Sequence, residues 1–244
     1  MKSSERIGQV LGQVVAPAFA AVSGARGART FHPRGDLAFA HVRPAEQSAL
    51  PDLARVLVGP AFVRFSSALW KSPRWPDVLG CALGFTRKGR SLKADQHLLF
   101  ATIRRPWTMP FAPFTTAVGD YLANTYFGVS PFHAPGAERV YLKLAPQRAR
   151  ETAEWNSAPR QQRLAHDIES GHARLSLEAA PGPRGPWLPV VVIELFALAG
   201  EDPTDLRLDP FLDSRGVVPY GFVHALRHGA YAGSQAGRSH AASH

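Results

Sequence analysis

The chain has 244 residues, 45% of them hydrophobic and 19% charged, so it can bury a core and is too apolar for a disordered chain. Its 28 lysines and arginines exceed its 19 aspartates and glutamates, which gives a formal net charge of +9 and favours anionic partners. No lysine-rich run or aromatic-interleaved basic stripe accompanies this charge, so no nucleic-acid partner is expected. The single cysteine, Cys81, excludes an internal disulfide, and its apolar surroundings predict a buried, inert thiol.

The first segment is an apolar stretch over residues 7–22 that resembles a secretory signal. Gln9 and Gln13 interrupt it, and Glu5 lies in its basic leader, which argues against that interpretation. Apolar residues recur at helical spacing, so we predict an amphipathic helix over residues 1–23 that docks on the domain or touches a membrane surface. The stretch is shorter than the roughly 20 residues that span a bilayer, and we expect a cytoplasmic protein.

A histidine motif follows in residues 27–35, which read Gly-Ala-Arg-Thr-Phe-His-Pro-Arg-Gly. Arg29 precedes His32 by three residues, and Phe31 lies beside the histidine. An imidazole titrates near neutral pH and can take up and return a proton, so His32 is a candidate acid/base catalyst. The simpler interpretation is a loop histidine before a proline.

The middle of the chain consists of short apolar segments separated by proline and glycine. Their alternation predicts β-strands, and strands of this number and spacing favour an antiparallel barrel or sandwich. A barrel of about eight strands can be filled by side chains and still offer a ligand site at its wall. The segments are Leu37–Phe39, Val63–Phe65, Leu79–Phe85, Leu98–Ile103, Val140–Leu144, Ala173–Leu177 and Val190–Leu195.

Helical and polar segments interrupt this pattern, but none has the composition of a domain linker. Residues 115–124 have helical spacing, and residues 149–169 are polar enough for a surface helix or loop pair. We predict one domain over residues 24–238 and a disordered tail over residues 239–244.

The last motif combines a tyrosine with two arginines. Arg227 lies four residues before Tyr231, so in a helix both share one face. A guanidinium beside a phenol lowers the phenol's pKa, which suits an anionic axial ligand to ferric haem. Arg238, two turns on, suits a carboxylate such as a haem propionate. The alternative is a basic helix with one aromatic residue.

In order and spacing these motifs resemble those of the catalase-like haem protein superfamily. Its distal segment has an arginine, two residues, a histidine, a small residue, a basic residue and a glycine, as in residues 29–35. An Arg-Phe-Ser strand comes next, here Arg64–Ser66, and the family's final helix reads Arg-x-x-x-Tyr with an arginine seven residues later. Weaker matches are Arg104–Pro106, Trp187–Leu195 and Gly216–Pro219, so the resemblance covers residues 24–238.

The resemblance implies an α+β fold, a catalase-like antiparallel β-barrel with peripheral helices, holding one haem b. The resemblance also implies an enzyme that reduces hydrogen peroxide or an organic hydroperoxide, by catalase turnover or by peroxidase turnover with a small-molecule reductant. Because full-size catalases are much longer, it also implies a monomer or homodimer. The resemblance implies Tyr231 as the iron ligand with Arg227 beside it, and His32 as the acid/base group with Ser66 orienting it. It further implies contacts with the haem propionates from Arg29, Arg64 and Arg238. Phe31 and Phe111 are expected to lie against the macrocycle.

The chain departs from the family at the distal amide, where catalases have an asparagine. Counting back from Arg104–Pro106 puts Gln96 at this position, with His97 beside it. Gln96 either donates the same hydrogen bond from a longer arm or is a loop residue. Rapid peroxide disproportionation and peroxidase turnover therefore both stay open.

Two other classes of function remain. One is a non-catalytic protein on the same barrel that binds haem or a lipid. The other is a metal-dependent hydrolase, since His224 and His228 lie four residues apart and can share a metal from one helix face. The glutamate that follows the first histidine in zinc proteases is missing here.

Overall fold

The computed structural model describes residues 35–68, 75–105, 108, 111–128, 130–147, 158–199, 206, 208–209 and 212–220. Within these ranges the chain forms antiparallel β-strands with a few short helices. The predicted elements and site residues outside them are the helix over 1–23, the tail over 239–244, Arg29, Phe31, His32, His224, Arg227, His228, Tyr231 and Arg238.

Eight strands close into a barrel, which confirms the predicted fold. Around the barrel the order is β1, β2, β3, β4, β5, β7, β8 and β9, and β9 pairs again with β1. Strands β6 and β10 extend the sheet beside β7. The strands are β1 Gly35–Pro44, β2 Gly59–Ser67, β3 Leu79–Thr86, β4 Ala94–Ala101, β5 Tyr126–Phe127, β6 Phe132–Ala134, β7 Ala137–Pro146, β8 Arg174–Ala180, β9 Leu188–Leu198 and β10 Val218–Pro219.

Three α-helices lie outside the strands in the described ranges. They are α1 Pro51–Leu57, α2 Ala112–Thr115 and α3 Arg160–Glu169, and a 3-10 turn occupies Tyr121–Ala123. None of these helices has the length and apolarity to cross a bilayer.

The helix predicted over residues 115–124 is replaced by the end of α2, a loop and the 3-10 turn. The Asp120 carboxylate accepts a hydrogen bond from the Leu122 backbone N–H at 3.0 Å. The Asn124 amide oxygen accepts the Ala117 N–H at 2.9 Å, and its Nδ2 donates to the Ala117 carbonyl at 3.0 Å. These side chains offer the backbone alternative partners to those of a helix, which ends the helical pattern.

The barrel interior is filled by alternate residues of its strands. Val63 and Phe65 of β2 lie opposite Leu83 and Cys81 of β3, and all four belong to one apolar core. Cys81 is buried as predicted, and burial raises the pKa of its thiol, so the group stays neutral. All eight residues of β3 are buried, so the outer face of the barrel is covered as well as its interior.

Arg215 joins one mouth of the barrel to α1. Its Nε donates to Asp95 Oδ1 at 2.6 Å, and its two terminal nitrogens donate to the Val56 carbonyl at 3.0 Å and the Thr86 carbonyl at 2.9 Å. The guanidinium also lies 5.4 Å from the centre of the Phe85 ring. Burial of Asp95 acts to raise its pKa, but the hydrogen bonds and charges of Arg215 and Arg87 together hold that pKa below its usual value.

Replacing Arg215 with Ala should lower the free energy of unfolding by about 1–3 kcal/mol, because two carbonyls lose their donors and Asp95 keeps only the hydrogen bond from Arg87. Urea unfolding followed by tryptophan fluorescence measures this loss. Arg55→Ala is the control, since Arg55 pairs with Asp52 on the surface and has a side chain 77% exposed. That control should change stability by less than about 0.5 kcal/mol. Equal losses in the two variants would contradict the role of Arg215 as a clamp.

Candidate functional site

Strand β2 carries two polar residues of the predicted site on the outer side of the barrel. Val63 and Phe65 belong to the core, so Arg64 and Ser66, which alternate with them, point outward. Both are buried, with Arg64 2% and Ser66 4% exposed. The structure therefore brings these two predicted residues together on one covered face.

Small residues lie beside this pair on β3, whereas Leu37 of β1 is opposite Arg64 and Leu99 of β4 is opposite Ala82. Gly80 of β3 lies opposite Ser66, Ala82 lies opposite Arg64, and Ala101 of β4 lies opposite Gly80. All three are buried. A sheet with small residues at adjacent positions has a flat surface that a ligand can approach closely. We call Gly80, Ala82 and Ala101 the floor of the site.

The Arg64 guanidinium lies against the backbone of Gly35 on β1. A Cβ at Gly35 would be 2.9 Å from Arg64 Cζ and 2.4 Å from the Phe65 carbonyl oxygen. Gly35 is also the partner of Ser66 in the β1–β2 register. Because glycine has no side chain, Gly35 leaves room for the Arg64 guanidinium at the Ser66 end of the floor.

Gly35→Ala should lower the free energy of unfolding by about 1–3 kcal/mol, because the new methyl group meets a backbone oxygen that cannot turn away. Chemical denaturation measures the loss. Gly89→Ala is the matched control, since a Cβ at Gly89 meets nothing within 4 Å. A Gly35→Ala protein as stable as Gly89→Ala would contradict the close packing at β1.

Two buried tyrosines lie next to Phe65 of β2. The Tyr121 hydroxyl donates to Asp36 Oδ2 at 2.7 Å, and the Tyr126 hydroxyl donates to the Tyr121 carbonyl at 2.8 Å. The rings of Tyr121 and Phe65 stack with centroids 4.9 Å apart. Burial raises the pKa of both phenols well above its ordinary value, so they are neutral structural groups. Neither suits the role of an anionic ligand.

Gln96 lies on the opposite face of the sheet from Arg64 and Ser66. It is paired with Phe85 of the core, and it is fully buried. Its Nε2 donates to the Val217 carbonyl at 3.0 Å and to the His97 carbonyl at 3.2 Å, and its Oε1 accepts the Arg215 N–H at 3.2 Å. The amide thus binds the segment before β10 to β4, and its proposed part in catalysis stays a prediction.

His97 is the polar residue of β4 on the outer face, beside Gly84 of β3. It is 5% exposed, and its Nδ1 lies 3.1 Å from the Asp209 backbone nitrogen and 3.2 Å from the Asp209 carbonyl oxygen, so the backbone of Asp209 holds the ring in either tautomer. Its Nε2 is buried and has no hydrogen-bond partner among the described residues. Burial lowers the pKa of His97, although Asp209 acts in the opposite direction, so the ring is neutral.

Counting residues back from Arg104–Pro106 predicts Gln96 at the distal amide position, and the strand pairing puts His97, its neighbour, on the outer face of β4. The alternation of His97 with Leu99 and Ala101 was the signal that identifies its face. It became informative only once the pairing of β3 with β4 was known.

Phe111, predicted to lie over the macrocycle, is the residue before α2. Its side chain is 68% exposed, whereas the adjacent Ala112 is buried against Ala101 and Val78. Phe111 is therefore at the border of the floor and faces outward, and its contact with haem stays a prediction.

Within the described ranges, no three His, Cys, Asp or Glu side chains lie close enough to hold a metal ion. The metal-dependent alternative thus depends on His224 and His228, which belong to the remaining residues.

Comparison with known proteins supports the fold. No family model matches the sequence, and no curated protein matches it. A bacterial catalase of known structure is similar with a TM-score of 0.54 and 17% identity, over 86% of this chain and 57% of that chain. A fungal catalase gives a TM-score of 0.48 and 13% identity, over 86% of this chain and 59% of that chain. The chain spans less than two thirds of the length of either catalase. On the likeness to the bacterial protein, the fold is a catalase-like antiparallel β-barrel.

Proposed function

We propose that the chain is a haem-dependent enzyme that reduces hydrogen peroxide or an organic hydroperoxide. The observation that carries this proposal is the shared outer face of Arg64 and Ser66 on a catalase-like barrel, above a floor of small residues. These two residues, with Gln96 and Phe111, are the described part of the site that the sequence predicts.

The described side chains fit a flat group that bears carboxylates. Gly80 and Ala82 project no large side chain beside Arg64 and Ser66, whereas Ala101 on the same face is already packed against Val78 and Ala112. The buried guanidinium of Arg64 suits a propionate, because two parallel N–H groups can meet two carboxylate oxygens. His97 adds a buried ring nitrogen, Nε2, on the same face. When bound, haem would supply the ferric iron at which the peroxide O–O bond is cleaved.

The chain's own residues would hold the group and move protons. Tyr231 would bind the iron as a phenolate, and Arg227 would keep it ionised through its positive charge. Arg29 and Arg238 would join Arg64 at the propionates. His32 would take a proton from one peroxide oxygen and return it to the other.

Ser66 is proposed to position His32 rather than to react. Its hydroxyl can donate to or accept from an imidazole nitrogen and so hold the ring at one angle. Its place on the Arg64 face supports this role. The amide of Gln96 is already occupied by backbone groups, which supports peroxidase turnover with a small-molecule reductant over rapid disproportionation.

Expression with added haem precursor, followed by a visible spectrum, tests the proposal. A ferric, phenolate-ligated spectrum together with peroxide-dependent oxidation of a phenolic dye supports it. A folded protein that neither retains haem nor takes it up from solution would overturn it. Bound haem without turnover of hydrogen peroxide or cumene hydroperoxide would instead identify the non-catalytic alternative.

A further inference from the structure

His97 lies on the same outer face of the barrel as Arg64 and Ser66, and only one of its two ring nitrogens is satisfied by the described residues. Its Nδ1 contacts the backbone of Asp209, whereas its Nε2 is buried and has no hydrogen-bond partner in the described part of the chain. Burying a polar atom without a partner costs free energy, and such atoms are rare in folded proteins. This nitrogen is therefore a candidate for contact with a ligand.

The two polar residues that precede His97 on β4 are satisfied by the protein itself. The Asp95 carboxylate accepts hydrogen bonds from Arg215 and Arg87. The Gln96 amide donates to two backbone carbonyls and accepts one backbone N–H, and it lies on the opposite face of the sheet. Of these three neighbours, His97 alone keeps a ring nitrogen that no described residue uses.

The His97 ring is held at one angle by two contacts. Its Nδ1 lies 3.1 Å from the Asp209 backbone nitrogen and 3.2 Å from the Asp209 carbonyl oxygen. The ring also lies edge-on to Phe62, with centroids 6.0 Å apart and planes inclined by 64°. Gly84 of β3 pairs with both residues, and a Cβ there would overlap the Phe62 ring. Because the ring is fixed in this way, Nε2 has a defined position on the outer face.

The backbone of Asp209 allows His97 Nε2 either to donate or to accept a hydrogen bond. When Nδ1 accepts the Asp209 N–H, the ring proton is on Nε2, which can then donate. When Nδ1 donates to the Asp209 carbonyl, Nε2 has a free electron pair and can accept. Burial lowers the pKa of His97, so both forms are tautomers of a neutral ring. Such a nitrogen suits a small ligand with both donor and acceptor oxygens, as in a hydroperoxide.

We infer that His97 Nε2 hydrogen-bonds the small oxygen ligand on the outer face of the barrel, in the part predicted for the Gln96 amide. The pair of Gly84 with His97 follows the pair of Ala82 with Leu99 in the β3–β4 register, so His97 borders the floor. The inference rests on the proposed function, because the ligand is the hydroperoxide of that reaction. His97 then positions the ligand, whereas the transfer of its proton is assigned to His32.

Fluoride binding to the ferric, haem-loaded protein tests the inference without turnover. Fluoride only accepts hydrogen bonds, so its affinity, measured from the visible spectrum at one fixed pH, reports a donor such as Nε2–H. His97→Asn keeps an amide atom at the place of Nδ1, where Asp209 binds, and removes Nε2. His97→Gln puts an amide nitrogen at the place of Nε2 and leaves Asp209 without its partner. We expect fluoride binding to weaken at least about tenfold in His97→Asn and to stay within about threefold of the wild type in His97→Gln.

His133→Asn is the matched control for these variants. It makes the same change at an exposed histidine on β6, whose Nδ1 contacts the Glu138 carbonyl, so its fluoride affinity should equal that of the wild type. Thermal unfolding of the same preparations, followed by circular dichroism, gives a second measurement. His97→Asn should unfold within about 3 °C of the wild type, because its contact with Asp209 remains, and His97→Gln should be the less stable variant.

A purely structural role, in which His97 only holds Asp209, predicts the reverse order of fluoride affinities. In that case His97→Gln loses fluoride affinity and His97→Asn keeps it. This order, or equal affinities of His97→Asn and the wild type, would overturn the inference and leave the haem proposal standing. A wild-type protein that takes up no haem would overturn both. If His97→Asn does not fold, His97→Gln decides, because retained fluoride affinity supports the contact and lost affinity contradicts it.

Discussion

A Tyr231→Phe protein is expected to fold and to purify with less than about a tenth of the haem that the wild type holds. The phenolate oxygen is the one atom of this residue that can bind ferric iron, and a phenyl ring has no such atom. Arg227 cannot replace it, because a guanidinium is a cation with no free electron pair for a metal. The ratio of haem to protein, measured from the absorption of the extracted cofactor, gives the loss directly.

The control for this variant is Tyr220→Phe. Tyr220 stacks on His133 with ring centroids 3.9 Å apart, and its backbone N–H donates to the Pro131 carbonyl. Removing its hydroxyl leaves both contacts in place, so haem content should not change. A Tyr231→Phe protein with the haem content of this control would contradict the assignment of the axial ligand.

The barrel was predictable because its strands alternate in the sequence. Val140 and Leu144 were expected in one strand, and both lie in β7 with their side chains in the core. The pattern does not predict that β7 pairs with β8 or that β1 pairs with β9. These pairings between residues far apart in sequence close the barrel. Such pairings depend on how whole strands fill a common interior, and local residue choice does not encode them.

The start of β4 was missed for a related reason. Asp95, Gln96 and His97 look like a loop, yet each is part of the strand. Each polar side chain is matched by a partner distant in sequence: Arg215 for Asp95 and Gln96, and Asp209 for His97. The local sequence does not show these distant hydrogen-bond partners, so a buried strand with polar residues looks like a surface turn.

The sequence alone also does not show which face of the sheet carries the site. The pairing of β3 with β4 is regular from Gly80 opposite Ala101 to Phe85 opposite Gln96. Neighbouring residues of a strand point to opposite faces, so Gln96 and His97 cannot share one. Counting from a motif identified Gln96 as the amide, whereas the pairing puts His97 on the side of Arg64 and Ser66.

The second large effect is expected at His32. His32→Ala should keep its haem and lose peroxide-dependent oxidation of a phenolic dye by about 10²–10⁴-fold in kcat/KM, the usual contribution of a positioned acid/base group. Alanine can neither accept the proton of the incoming peroxide nor return it to the departing oxygen. Because the proposed haem-binding residues are unchanged, the cofactor content should equal that of the wild type.

Ser66→Ala separates the transfer of the proton from the positioning of the ring. The imidazole keeps its ability to carry a proton but loses a hydrogen bond that fixes its angle, so the loss in kcat/KM should be smaller than in His32→Ala. The pH profile distinguishes the two: the limb that reports the imidazole should vanish in His32→Ala and persist in Ser66→Ala. Since Ser66 lies beside Arg64 on the buried outer face, its substitution should leave the barrel folded. Full activity in His32→Ala would exclude this histidine as the acid/base group, even if the variant keeps its haem.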